Sequence, residues 1–158
     1  PSHSCLTHLF WGYHAKTENS RTKIMLNGLS EKSAGELVDL AKSWLTPAAL
    51  MLKTRGYRND GYDPAQRADV IGCEKAGIAS ALELELVAGE DWPVVNPAFV
   101  IKNWGARGAE LKLNGKKIKG GSDFRLSHSK RLEGEDLVVW VKKETVEPIR
   151  IAIVPTGN

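Results

Sequence analysis

The sequence predicts a mainly β fold, an antiparallel β-sandwich with one principal helix at about residues 31–45. Three observations carry this reading. Many short apolar runs are separated by clusters of Gly, Pro, Asn and Asp, the mark of strands joined by turns. Ala81–Val87 and Ile149–Val154 alternate apolar with polar residues, the period of a strand with one buried face. From Glu31 to Leu45 the apolar residues Leu37, Leu40, Ala41 and Trp44 instead recur at helical spacing.

Taken in order, Cys5–Tyr13 reads as an early strand rich in aromatic and β-branched residues. Thr22–Leu26 leads into Asn27-Gly28, a hairpin dipeptide. The helix follows, with Ser30 or Ser33 as N-cap. Ser33-x-x-Glu36 has the form of a capping box, and Pro47 ends the pattern. Leu37, Leu40, Ala41 and Trp44 are expected to face the sheet. Ala49–Thr54 and Arg67–Cys73 read as strands, whereas Arg55–Pro64 reads as turn chemistry throughout. The chain is organised around Asp91–Gly105. There Pro93 and Pro97 delay the strand until the apolar run Ala98–Ile101, which is expected to be buried on both faces. Beyond it, Glu110–Leu113 and Lys116–Lys119 flank Asn114-Gly115 as a hairpin. Phe124–Leu126 is a short strand, Glu133–Asp136 a turn, Leu137–Val141 a buried strand, and Ile149–Val154 the last strand. Phe99, Ile101, Val139, Trp140 and Ile151 are expected to be buried together.

A length of 158 residues suits a single domain with a sizeable core. No apolar stretch is long enough to cross a bilayer, so no membrane partner is expected. The chain opens Pro1-Ser2-His3 with no initiator Met, which reads as a removed leader or a piece of a larger chain. Cys5 and Cys73 match no zinc or redox spacing. They read as two buried thiols, with a disulfide between them the alternative in an oxidising compartment. The net charge is +3, unevenly spread. Between Lys102 and Arg131 nine Lys and Arg face only Glu110 and Asp123. Such a segment is a footprint for an anionic partner, or a solvated edge that resists aggregation.

No catalytic signature stands out. The histidines His3, His8, His14 and His128 have no metal-ligand spacing. Asn59, Asp60 and Asp63 do not fit a calcium loop and read as an Asx-rich turn. No glycine-rich strand-to-helix turn and no nucleophile elbow occurs, so no cofactor and no metal are implied. If the chain contributes to catalysis, Tyr13, His14 and His128 are the candidate acid and base. Of the five tryptophans, Trp44 and Trp140 are expected in the core. Trp11, Trp92 and Trp104 lie near Gly or Pro at strand ends, where an exposed indole can stack on a sugar face. Trp104 with Lys112, Lys116, Lys117 and Lys119 is the candidate ligand-binding set.

The segments NPAFVIKNWG, LKLNGKKI, DFRLSHSKRLEGEDLVVWVKKE and PIRIAIVP together resemble the β-sandwich modules at the C-terminal ends of large bacterial carbohydrate-active proteins, polysaccharide lyases among them. The likeness covers about residues 92–155 and rests on strand-and-turn texture. It implies a secreted or periplasmic module that accompanies a catalytic domain of the same polypeptide. Three functional classes follow. The first is a non-catalytic module with an acidic polysaccharide as partner. The second is a lyase fragment that contributes active-site residues. A nucleic-acid binder ranks last, because the total charge is modest and aromatics are sparse in the basic segment.

Overall fold

The computed structural model describes residues 32–132 and 134–157. The chain divides into two compact units, Pro1–Lys42 and Ser43–Asn158. One helix, α1 (Ala34–Leu45), is present among the described residues. It begins at Ala34 because Ser33 and Glu36 form the capping box: the Ser33 N–H donates to Glu36 Oε2 at 2.7 Å, and the Glu36 N–H donates to Ser33 Oγ at 3.4 Å. That bonding holds the Glu36 carboxyl below its usual range. Within α1 only Leu37 is buried; Leu40, Ala41 and Trp44 are half-buried. Trp44 is therefore not the core residue that its spacing suggested. The expected early strands at Cys5–Tyr13 and Thr22–Leu26 lie outside the described residues.

Twelve strands follow: β1 (Ala49–Leu52), β2 (Tyr57–Asp63), β3 (Ala68–Cys73), β4 (Leu82–Val87), β5 (Val94–Val95), β6 (Ala98–Lys102), β7 (Gly108–Leu113), β8 (Lys116–Lys117), β9 (Phe124–Arg131), β10 (Gly134–Val141), β11 (Glu144–Thr145) and β12 (Ile149–Thr156). They form a mainly β fold with two five-stranded sheets, ordered β1-β4-β12-β7-β8 and β2-β3-β6-β10-β9, and a small β5-β11 pair.

In the first sheet the alternation of the sequence translates directly into rows. Leu82 pairs with Ile153, and Ile153 with Leu111; Leu84 pairs with Ile151, and Ile151 with Leu113. All except the half-buried Leu113 are at most 1% exposed. In the second sheet Ile71, Ile101 and Leu137 form one row, and Asp69, Phe99 and Val139 the next. These apolar side chains join those of the first sheet in one core cluster. At Asn114-Gly115 both residues have positive φ, as a two-residue hairpin turn between β7 and β8 requires.

Several expectations are corrected. Arg55–Pro64 is not turn throughout: Tyr57–Asp63 forms β2, an edge strand with a register shift between Asn59 and Gly61. An edge strand needs only one hydrogen-bonding neighbour and one buried side, so its polar composition is compatible with pairing. Of the turn expected at Glu133–Asp136, the residues from Gly134 onward are strand, since β10 begins at Gly134 and pairs with β9, which runs on to Arg131. The second sheet is also not wholly antiparallel, because β3 and β6 are parallel. Between them the chain crosses to the first sheet as β4, which supplies the long connection that a parallel pair needs.

Trp140 is not in the core. It lies on the opposite side of β10 from Val139, half-buried, with the Arg125 guanidinium 5.3 Å from its ring. Phe99, by contrast, is fully buried. Phe99→Ala is therefore expected to cost about 3–5 kcal/mol in chemical denaturation. Trp140→Ala is expected to cost about 1–2 kcal/mol, from partial burial and an exposed cation–π contact. Equal costs would show that the two side chains share one environment.

Candidate functional site

At one end of the core the second sheet places a carboxyl where its neighbours are apolar. Asp69 shares its side of β3 with Ile71 and Cys73, and its row with Phe99. It is only 8% exposed. Burial alone pushes its carboxyl up to about 7, with no cation among the described residues offsetting the loss of water. Directly across from it on β2 stands Tyr62. The Tyr62 hydroxyl is also raised, first by burial and then by the charge of Asp69, with Arg67 acting in the opposite sense. Tyr62 therefore lies within electrostatic reach of both Asp69 and Arg67.

Arg67 occupies the turn between β2 and β3. Asp63 Oδ1 caps that turn, accepting from the N–H groups of Ala65 at 2.8 Å and Gln66 at 3.3 Å. Arg67 itself has φ of 53°, a conformation that costs a non-glycine residue of order 1 kcal/mol. This geometry lays its guanidinium 3.7 Å from the Trp44 ring centroid. Opposite this hairpin, the stretch Pro93–Ala98 supplies the remaining wall, so that Trp44, Tyr62, Arg67, Asp69 and Asn96 line one cleft of about 50 Å³. The Asn96 side chain is committed to the wall, accepting from the Lys143 N–H at 3.2 Å.

A second depression, an open groove of about 790 Å³, runs over the outer face of the first sheet. Lys53, Glu83, Glu85, Lys112, Asn114, Arg150, Ala152 and Val154 line it. Lys53 and Arg150 both approach Glu85 Oε2, at 3.2 and 3.5 Å, and hold that carboxyl low. Lys112 has no acidic partner among the described residues. It stands beside Lys117, its cross-strand partner, which donates to Glu110 Oε1 at 2.6 Å.

The residues singled out from the sequence are dispersed. Lys112 and Lys117 share one face of the β7–β8 hairpin, while Lys116 opposes Leu113 on the other. Lys119 lies past the hairpin, its N–H donating to Asp123 Oδ2 at 3.0 Å. Trp104 is fully buried, and its Nε1–H donates to the Arg107 carbonyl at 2.8 Å, so its ring offers no stacking face. Trp92 is exposed, at 53%. His128 Nδ1 lies 3.5 Å from Glu135 Oε1 on the edge strand β9. Tyr13 and His14 lie outside the described residues. Asn59, Asp60 and Asp63 serve local structure: Asn59 Oδ1 accepts from the Gly61 N–H, Asp60 pairs with Arg58 and Lys102, and Asp63 caps its turn. Cys73 is a buried free thiol. Asp69, Tyr62 and Arg67 are not among the residues the sequence singles out, and the aspartate within the apolar run ADVIGC is the one signal it carries for them.

No protein-family model, curated protein or solved structure matches this chain.

Asp69 also sets a pH dependence. Its folded-state value lies above that of an unfolded aspartate, so between about pH 4 and 7 only the folded chain keeps the proton. Stability is thus lost as pH rises through that window, by at most about 4 kcal/mol, and stays lower above it. Asp69→Asn is expected to remove this loss, gaining on the parent protein from about pH 5 to about pH 8 in urea denaturation. Parallel pH profiles for the two proteins would contradict the buried titration.

Proposed function

We propose that this chain is a non-catalytic β-sandwich module of a secreted or periplasmic polysaccharide-processing protein. In this reading it accompanies a catalytic domain of the same polypeptide and holds an acidic polysaccharide on the outer face of its first sheet. Two five-stranded sheets with a common apolar core support the sandwich. The observation that carries the binding reading is the open groove of about 790 Å³, lined by Lys53, Lys112 and Arg150.

Its chemistry favours an anionic chain over a neutral one. Lys53, Lys112 and Arg150 contribute three cations to the lining against the two carboxylates of Glu83 and Glu85. Of these three, Lys112 is the cation with no acidic partner among the described residues. Each uronate bound there relieves repulsion between neighbouring cations and releases counterions. Among the described residues the lining contains no aromatic ring, so no stacking contribution from them persists when salt screens the charges. The reading therefore requires salt-sensitive binding, since exposed charges are screened over about 8 Å at physiological ionic strength.

Titration with alginate, pectate and a neutral glucan at two salt concentrations tests this. The two acidic polymers are expected to bind, to weaken several-fold at the higher salt, and to weaken further on Lys112→Glu. The glucan is expected not to bind. Equal binding of all three polymers, or binding indifferent to both salt and Lys112→Glu, would refute the reading.

A further inference from the structure

We propose that the cleft at Asp69 is a binding site for the carboxylate of a small ligand. In it the Arg67 guanidinium supplies the charge, and the Asp69 carboxyl and Tyr62 hydroxyl supply hydrogen bonds. Four observations lead there. Arg67 has no carboxylate partner among the described residues, although its guanidinium is held against the Trp44 ring. Stacking of that kind fixes the guanidinium plane and leaves its N–H edges free, the arrangement suited to a bidentate carboxylate. Neither the Tyr62 hydroxyl nor the Asp69 carboxyl has a hydrogen-bond partner among the described residues. Finally, about 50 Å³ is room for roughly three or four waters. That accommodates a carboxylate but not a sugar ring, so the rest of the ligand would remain at the open mouth.

Protonation makes two carboxyl groups compatible in one cleft. A neutral Asp69 donates an O–H to the incoming carboxylate, a short and strong bond. Once Asp69 ionises, the same pair repels. Among the described residues the charged or titratable groups that face the cleft are Tyr62 from β2, Arg67 from the β2–β3 turn and Asp69 itself. The end of α1, β4, β5 and the β5–β6 turn contribute only uncharged groups, among them Ser43, Trp44, Leu86 and Asn96. An ammonium ligand would show the opposite pH dependence, and the Arg67 cation already occupies the indole face that such a ligand would need.

The experiment is a titration of the full chain with glucuronate, acetate and glucose, followed by NMR at about pH 6 and about pH 8. Glucuronate is expected to shift resonances of Trp44, Tyr62 and Asp69, whereas glucose is not. Affinity should fall about tenfold between the two pH values, following the neutral fraction of a group that titrates near 7. Arg67→Gln is expected to lose at least tenfold in affinity. Asp69→Asn, which keeps a donor, is expected to bind at both pH values with the pH dependence abolished. Acetate binding with the same dependences supports a site for carboxylates at large, and glucuronate binding alone supports a uronate site. Lys112→Glu is expected to leave this site unaffected, which separates its outcome from that of the groove. Glucose binding equal to glucuronate, no loss on Arg67→Gln, tighter binding at the higher pH, or no binding by either acid would each overturn the proposal.

Discussion

Burial of Phe99 and Ile101 on β6 is the constraint on which the second sheet depends. Both side chains are fully buried, between β3 on one side and β10 on the other. Each face of a strand in that position must be covered, and the short apolar run Ala98–Ile101 meets this without alternation. Once Phe99 is set against Val139, the parallel register brings Asp69 alongside it. The carboxyl is thereby drawn to the end of the apolar row and away from water. Its raised titration follows from packing that the rest of the core enforces, rather than from a local partner.

The same packing explains why the cleft and the groove differ in chemistry. The cleft lies where core-facing positions run out, so it combines the buried Asp69 carboxyl with the half-buried Tyr62 and the exposed Arg67. The groove lies on a solvated sheet face, where Lys53, Arg150 and Glu85 already form a small ion-pair network. Exposed pairs of that kind contribute little to stability. Their effect is to place charge along a surface, and surface charge in general governs the rate of encounter with a charged molecule more than tightness of binding.

Much of the fold was legible in the sequence wherever one face of a strand is wet. ALELELV and IRIAIV declare their buried sides, and both pair as the alternation requires. The Asn114-Gly115 turn and the capping box at Ser33 and Glu36 are equally direct, because each is a local bonding pattern. What stayed hidden depends on distant partners. RNDGYD carries turn residues throughout, yet it pairs along β3 as an edge strand. Trp140 lies on the side of β10 opposite Val139 because strand parity decides which face a ring occupies, whereas Trp104, beyond the end of β6, is fully buried with its Nε1–H donating to the Arg107 carbonyl. The candidate lysines were visible as a charged segment, but the hairpin splits them between faces. The Asp69 cleft needed the β2–β3 pairing, the end of α1 and the stretch after Pro93 to meet, and no local pattern encodes that meeting.

Asp69 is a desolvated carboxyl within the apolar row, and its titration reports this directly. Following the side-chain carboxyl carbon of Asp69 by NMR across the pH range is expected to give a midpoint of about 7. A midpoint near 4, that of an ordinary solvated aspartate, would show that water reaches the carboxyl freely and would contradict the placement of this side chain in the core.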